Sequence, residues 1–186
     1  MKKNPTVKKR TQKEIREIAR RIRLLILDVD GVLTDGSIIL DNEGNEYKSF
    51  HVRDGHGIKM LLKSGVVVAI ITGRQSKVVD RRARELGVTE VFQQCRDKVA
   101  AYEGLLEKYS LSGKEVAFMG DDIVDAPVMR RVALPVAVSD ADPKVRAFSS
   151  FVTKNRGGRG AVREVTDFIL EAKGLLQGII DEYFEA

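Results

Sequence analysis

Short apolar runs that alternate with helix-like segments constrain the fold of this 186-residue chain more than any other feature. Val66–Thr72 is almost wholly apolar, and Leu24–Asp28 and Val116–Gly120 follow the same pattern. Continuous apolar runs indicate strands that are buried on both faces, as in a parallel sheet covered by helices. We therefore expect an α/β fold built on a doubly wound parallel sheet.

Helical spacing and turn residues fill the intervals between these strands. The spacing predicts helices at Gly57–Ser64, Ser76–Leu86, Lys98–Tyr109, Ala126–Val132 and Val162–Gln177. Gly65 and Gly87 are predicted to end the first two helices. Further short strands are predicted at Val91–Gln93, Leu134–Val138 and Phe151–Thr153.

Positive charge is concentrated at the N-terminus. Residues 1–23 carry ten Lys or Arg against two Glu, whereas the rest of the chain is slightly acidic. Thr11 followed by Glu14 forms a capping box, which predicts a short amphipathic helix. We expect a basic leader with this helix at residues 1–21, mobile up to Arg10, and a single domain at residues 22–186.

Composition argues against several classes of protein. The longest apolar stretch, Val66–Ile71, is too short to span a membrane, and the N-terminus lacks the apolar core of a signal peptide. The single cysteine, Cys95, cannot form an intrachain disulfide, which agrees with a reducing compartment. The acidic body argues against nucleic acid as a partner. We expect a cytoplasmic protein that binds neither membrane nor nucleic acid.

Chemically functional side chains follow the predicted strands. Such residues meet at the carboxyl edge of a parallel sheet, where ligands bind. Two close carboxylates, here Asp28 and Asp30, repel each other unless a cation or a shared proton compensates. The pattern predicts carboxylates that hold a hard divalent cation, and a hydroxyl and an ammonium group that bind phosphate oxygens. The residues concerned are Asp28, Asp30, Thr72, Gly73, Arg74, Lys98, Asp121, Asp122 and Asp125.

Four motifs, in this order, resemble those of the haloacid dehalogenase superfamily of phosphohydrolases. They are Asp28-Val-Asp-Gly-Val, Thr72-Gly73, Lys98 and Gly120-Asp121-Asp122-x-x-Asp125. Within the superfamily, the chain is similar to the phosphatases that act on 3-deoxy-D-manno-octulosonate 8-phosphate, a precursor of lipopolysaccharide. The stretches that carry this narrower similarity are Leu27–Gly36, His51–Ile58, Ala69–Arg74, Gly120–Asp125 and Gly157–Glu164.

The resemblance implies a Rossmann-like fold and a phosphomonoesterase that forms an aspartyl-phosphate. It implies Asp28 as the nucleophile and Asp30 as the general acid and then the general base. Thr72 and Lys98 are implied to bind the oxygens of the transferring phosphoryl group.

The resemblance also implies Mg²⁺ as the cofactor. Its implied ligands are the Asp28 carboxylate, the backbone carbonyl of Asp30 and Asp121. Asp122 and Asp125 are implied to hold the water ligands of the ion or to orient Lys98.

The resemblance implies a substrate pocket as well. The sequence favours Arg74, which directly follows the turn at Thr72-Gly73. An alternative for Arg53 and Asp54 is an ion pair at a helix start. Gly157–Gly160 is either a flexible tail that presents Arg159 to an anion or a plain loop. The implied pocket residues are Asp30, His51, Val52, Arg53, Asp54, Gly55, Lys59, Gly73, Arg74, Arg82 and Lys98.

The motif spacing leaves no room for a cap domain. Only 36 residues separate Asp35 from Thr72, and 23 separate Arg74 from Lys98. The turn at residues 41–44, between Ser37–Leu40 and Glu46–Val52, predicts a β-hairpin that projects from the first loop. The resemblance implies a homotetramer in which such hairpins associate and a neighbouring subunit covers the open site. A monomer with an unpartnered hairpin is the alternative.

Other functions fit parts of the pattern. A related phosphatase for a nine-carbon sugar-acid 9-phosphate is poorly separated by these motifs. A capless nucleic-acid-end phosphatase is favoured by the basic leader alone. A receiver-like module also uses Asp, Thr and Lys on a doubly wound sheet, but the acidic cluster at residues 121–125 disfavours it.

Overall fold

The computed structural model describes residues 10–185. Its strands are β1 Leu24–Leu27, β2 Ile39–Leu40, β3 Glu46–Tyr47, β4 Val67–Ile71, β5 Glu90–Phe92, β6 Val116–Gly120, β7 Leu134–Ala137 and β8 Phe151–Val152. Six of them form one parallel sheet in the order β5-β4-β1-β6-β7-β8. The expected doubly wound parallel sheet is confirmed.

Helices cover the sheet. They are α1 Gln12–Arg20, α2 Val52–Lys63, α3 Lys77–Leu86, α4 Lys98–Tyr109, α5 Ala126–Met129, α6 Pro143–Phe148, α7 Ala161–Ala172 and α8 Leu176–Glu185. Short 3₁₀ turns occupy Gly113–Glu115 and Ile123–Asp125.

Strand β1 lies at the centre of the sheet, and its register determines where the polar strand ends meet. All four of its residues are fully buried. Leu27 lies opposite Ile70 of β4 on one side and Met119 of β6 on the other. The residues that follow these three strands therefore lie side by side at one edge of the sheet.

Predicted helix boundaries hold best where a cap residue marks them. Helix α4 has the predicted bounds, with Asp97 as its N-cap accepting the N–H of Val99 at 2.9 Å. Helix α3 ends as predicted at Gly87, which has a φ of 81°. Helix α6 was not predicted, although Asp142 caps it and Pro143 is its first residue.

Three of the predicted helices have the wrong extent. Helix α5 ends at Met129, three residues before the predicted Val132. Helix α2 begins at Val52, five residues before the predicted Gly57, because α7 packs directly against it. A Cβ on Gly57 would lie 2.2 Å from the hydroxyl oxygen of Thr166, so the glycine permits this close approach inside the helix. The predicted helix at Val162–Gln177 is two helices, since Gly174 has a φ of 73° between α7 and α8.

The N-terminal helix packs into the body of the protein. The capping box of Thr11 and Glu14 is present, and Ile15 and Ala19 of α1 are buried. Arg16 forms a 3.2 Å ion pair with Glu171 of α7. Residues 1–9, most of the segment expected to be mobile, lie outside the described residues.

Strands β2 and β3 form the predicted projecting hairpin, with Ile39 opposite Tyr47. Each strand is only two residues long, and Val52, predicted to end the second arm, is the first residue of α2. Within residues 10–185 the chain has no cap domain. None of the helices in that range combines the length and the apolar character that crossing a membrane requires.

Candidate active site

A buried lysine between two aspartates forms the centre of the site. Asp28 follows β1, Lys98 opens α4, and Asp125 closes the 3₁₀ turn after β6. The Nζ of Lys98 lies 2.9 Å from Oδ2 of Asp28 and 2.7 Å from Oδ1 of Asp125. Fewer than one-tenth of each side chain is exposed. A buried ammonium group is tolerated only with such partners.

Asp125 organises the turn that carries its neighbours. Its Oδ2 accepts the backbone N–H groups of Asp121 at 3.1 Å and Asp122 at 3.4 Å. Asp122 in turn caps the 3₁₀ turn by accepting the N–H of Ile123 at 2.7 Å. Both oxygens of Asp125 are therefore engaged with Lys98 and the backbone, and the carboxyl of Asp121 remains directed at the cleft.

The charge balance of this cluster is negative. Burial, with the negative charge of Asp125, raises the pKa of Asp28 to about 6 against the opposing effect of Lys98. Burial, followed by the charges of Asp125 and Asp28, raises the pKa of Asp121 to about 7. One lysine does not neutralise three carboxylates, and a divalent cation would restore the ionised forms.

The donor set fits a small hard cation. Oxygen atoms of Asp28, Asp121 and Asp125 lie within 4.8 Å of one another. The loop after β1 approaches closely at Gly31, where a Cβ would lie 2.1 Å from an Asp121 oxygen. Gly31 also has a φ of 84°, a conformation that other residues rarely adopt. Carboxylate oxygens in a compact cradle are the ligands that Mg²⁺ prefers.

The second aspartate of the motif belongs to a separate network of charges. Oδ1 of Asp30 lies 2.5 Å from Nζ of Lys48, and its Oδ2 lies 3.7 Å from Nε of Arg74. Glu46 of β3 contacts both cations, at 3.3 Å from Lys48 and 3.1 Å from Arg74. Sequence reasoning missed Glu46 and Lys48, since no local pattern shows that the hairpin folds back onto the site.

These two clusters share one open cleft of about 450 Å³. Thr72 is buried at its base, and its Oγ1 accepts the N–H of Arg74 at 3.4 Å. The structure thus brings together the predicted residues at the strand ends. The cleft is lined by Asp28, Asp30, Gly36, Thr72, Gly73, Arg74, Cys95, Arg96, Lys98, Asp121, Asp122 and Val124.

Known proteins match both the sequence and the fold of this chain. Residues 87–165 match the haloacid dehalogenase-like hydrolase family. The 3-deoxy-D-manno-octulosonate 8-phosphate phosphatase of Escherichia coli K12 is 52% identical over 158 residues, which cover 85% of this chain and 84% of that protein. The chain belongs to this phosphatase family.

Solved structures place the chain in the same phosphatase family. The phosphatase from Yersinia pestis superposes with a TM-score of 0.88 at 49% identity and covers 89% of each chain. The phosphatase from Moraxella catarrhalis superposes with a TM-score of 0.91 at 41% identity, covering 93% of this chain and 99% of its own. That structure was solved in complex with magnesium, phosphate and a molecule of KDO, the sugar acid 3-deoxy-D-manno-octulosonate.

The resemblance to this phosphatase family assigns several residues to the substrate pocket. Seven of them do not line the cleft of their own chain. Arg82 lies 5.8 Å from the ring centre of Phe50 and packs against Gly55. Lys59 is exposed on α2. The residues of this kind are His51, Val52, Arg53, Asp54, Gly55, Lys59 and Arg82.

Asp54 has a structural role at the start of α7. Its carboxylate accepts the N–H groups of Gly160 at 3.2 Å and Arg163 at 2.7 Å, which replaces the alternative pairing with Arg53. Burial raises its pKa above the usual value despite these hydrogen bonds. His51, with Nδ1 3.9 Å from Oδ2 of Asp54, is the N-cap residue of α2.

The glycine-rich segment before α7 packs against the loop that carries the motif of the first strand. The N–H of Gly158 donates to the carbonyl of Val32 at 2.9 Å. Arg159 lies 3.4 Å from Asp35, with both side chains more than one-third exposed. In the described chain, this segment therefore supports the loop after β1 of the same chain. Arg159 lies at the surface beside that loop.

Proposed function

We propose that the chain is a Mg²⁺-dependent phosphatase that hydrolyses 3-deoxy-D-manno-octulosonate 8-phosphate to the free sugar acid and phosphate. The observation that carries this proposal is the buried Asp28–Lys98–Asp125 cluster beside Asp121, in a chain 52% identical to a phosphatase of that substrate. Its place would be lipopolysaccharide precursor synthesis in the cytoplasm. A free Cys95 agrees with a reducing compartment.

The first chemical step would form an aspartyl-phosphate. A carboxylate oxygen of Asp28 attacks phosphorus, the bond from phosphorus to the sugar oxygen breaks, and Asp30 gives its proton to that oxygen. Asp28 is held for this role, since its Oδ1 accepts the N–H of Val29 at 2.7 Å. Lys98 and the hydroxyl of Thr72 would bind the phosphoryl oxygens as charge develops.

The second step would release phosphate. Water attacks phosphorus, its proton passes to the Asp30 carboxylate, and the bond between phosphorus and the Asp28 oxygen breaks. Asp28 returns as a carboxylate and Asp30 as a carboxylic acid, so each group is restored for the next cycle.

The proposed Mg²⁺ ligands are the Asp28 carboxylate, the backbone carbonyl of Asp30 and the Asp121 carboxylate. Asp122 would order water ligands, and Asp125 holds Lys98 and the backbone of Asp121 in place. When bound, the ion neutralises the repulsion between the attacking carboxylate and the phosphate dianion.

A neighbouring subunit would complete the substrate site. The hairpin exposes Ile39, Leu40 and Tyr47, each about half exposed, and apolar side chains grouped in this way mark interaction surfaces. We propose a homotetramer in which the hairpin meets a neighbour and brings residues 51–53, Lys59 and Arg82 to a second cleft. Arg74, 44% exposed at the mouth of its own cleft, would bind the sugar carboxylate.

Phosphate release from a panel of phosphate esters tests this function. The panel contains the eight-carbon sugar-acid 8-phosphate, a nine-carbon 9-phosphate, glucose 6-phosphate and a 5′-phosphorylated oligonucleotide, each with Mg²⁺ and with EDTA. We expect a strong preference for the first compound, which EDTA abolishes. Equal rates on all four esters would contradict the substrate assignment.

Asp28→Asn tests the nucleophile in the same assay. The variant lacks the attacking carboxylate, so activity should fall by about three or more orders of magnitude while the circular dichroism spectrum is unchanged. Asp181→Asn, on the exposed α8, is the matched control and should keep full activity. Normal activity in Asp28→Asn would contradict the aspartyl-phosphate mechanism.

A further inference from the structure

Lys48 is a buried lysine that neither the motifs nor the proposed mechanism explains. Its side chain is 1% exposed, although taking an ammonium group out of water is strongly unfavourable. Its Nζ lies 2.5 Å from Oδ1 of Asp30 and 3.3 Å from Oε1 of Glu46. The chain therefore places a fixed cation on the carboxyl group that would exchange protons with the substrate.

We propose that Lys48 is a positioning residue that fixes Asp30 for proton transfer, an inference that rests on the function proposed above. The ammonium group donates to Oδ1, which leaves Oδ2 for the leaving sugar oxygen. Arg74 also approaches Asp30, but its side chain is 44% exposed and its Nε lies 3.7 Å away. Lys48 is thus the short and buried contact.

The contact stabilises Asp30 in the first step of the reaction and keeps it oriented in the second. When Asp30 gives its proton to the sugar oxygen, the carboxylate that forms is stabilised by a charge-assisted hydrogen bond from Lys48. When water attacks, its proton returns to the same oxygen of Asp30. Lys48 keeps all of its own protons throughout, so its part is to hold and stabilise rather than to transfer.

Glu46 explains how the lysine itself is held. Its carboxylate lies 3.3 Å from Lys48 and 3.1 Å from Arg74, and it belongs to strand β3. The hairpin is thereby tied to the acid–base residue by ion pairs. Well-positioned groups of this kind supply a large part of catalysis, and small displacements weaken it strongly.

Comparison of two leaving groups tests the proposal. The value of kcat/KM reports the steps up to and including phosphoryl transfer. In that step a departing sugar oxygen needs a proton, whereas a departing p-nitrophenolate does not. We expect Lys48→Met to lower kcat/KM about 10–100-fold for the sugar-acid 8-phosphate and to leave that for p-nitrophenyl phosphate nearly unchanged. Lys48→Arg, which keeps the charge, should restore part of the loss. Equal loss on both substrates would overturn the proposal, because it would indicate a merely structural lysine.

A double-mutant cycle and a control complete the experiment. Since Lys48 acts through Asp30, Lys48→Met should cause no further loss in an Asp30→Asn background, and additive losses would contradict the proposal. Lys108→Met, which removes a 2.6 Å ion pair to Glu90 away from the cleft, should leave both rates unchanged. If the wild type hydrolyses p-nitrophenyl phosphate but not the sugar phosphate, the proposed substrate is wrong. The role of Lys48 can then still be tested with a simple alkyl phosphate, because its leaving oxygen also needs a proton.

Discussion

At the scale of single residues, the site is a group of carboxylates held closer together than their charges favour. Asp28 and Asp121 have raised pKa values chiefly because both are buried, and next because Asp125 lies beside them. Lys98 offsets part of this charge. Binding of Mg²⁺ and stability of the metal-free fold are therefore linked through the same carboxyl groups.

Asp121→Asn separates these two effects. A raised folded pKa gives stability that is present below the unfolded value near 3.8 and is lost as the pH rises through about 7. In EDTA, removing this carboxyl should therefore raise Tm by a few degrees at pH 8 and by less at pH 5. Thermal melts at both pH values measure the effect. A lower Tm at pH 8 would show that the ionised Asp121 carboxyl does not destabilise the metal-free fold.

Mg²⁺ should bind more weakly in acid. Because the carboxyls of Asp28 and Asp121 titrate near pH 6 and pH 7, protons compete with the ion below pH 7. The Mg²⁺ concentration for half-maximal thermal stabilisation should rise as the pH falls from 8 to 6. Asp121→Asn should show little stabilisation by Mg²⁺ at any of these pH values. A midpoint that does not depend on pH would contradict a carboxylate site.

At the scale of secondary-structure elements, the sequence predicts those features that local chemistry determines. Lys98, Thr72 and the acidic cluster at residues 121–125 could be assigned to strand and helix ends, because apolar runs and caps mark those ends. The early start of α2 and the approach of Lys48 could not be predicted, since each depends on a distant element that packs against it. Tertiary contact, not local preference, decides such features.

The segment before α7 offers a prediction at this scale. A Cβ on Gly157 would lie 1.8 Å from the carbonyl oxygen of Gly31, so Gly157→Ala must push the segment away from the active-site loop. We expect a loss of stability of about 1–3 kcal/mol by chemical denaturation, and a lower kcat. Gly178→Ala in α8, where nothing lies within 4 Å, is the control and should be neutral or slightly stabilising. Equal behaviour of the two variants would show that the segment does not support the loop.

At the scale of the whole molecule, one chain brings the proposed reacting groups together in a cleft that stays open. Asp28, Thr72, Lys98 and Asp121 all line the cleft, whereas α2 contributes none of the lining. The hairpin that carries Glu46 and precedes Lys48 also has an exposed apolar surface. If subunits assemble through the hairpin, that contact would therefore affect both the choice of substrate and the position of Asp30.

Disrupting the hairpin surface should weaken binding of the sugar-acid phosphate without abolishing phosphate ester hydrolysis. Ile39→Ser with Leu40→Ser removes two exposed apolar side chains, and each such side chain contributes about 1.5–3 kcal/mol when it is buried in a contact. We expect sedimentation analysis to show smaller species, with a KM for the sugar-acid phosphate raised about tenfold or more. Hydrolysis of p-nitrophenyl phosphate should persist, because the reacting groups belong to one chain. Phe184→Ser, at an 88% exposed residue of α8, is the matched control and should change neither mass nor KM. A wild-type monomer, or a double variant with unchanged mass, would show that the hairpin is not the assembly surface.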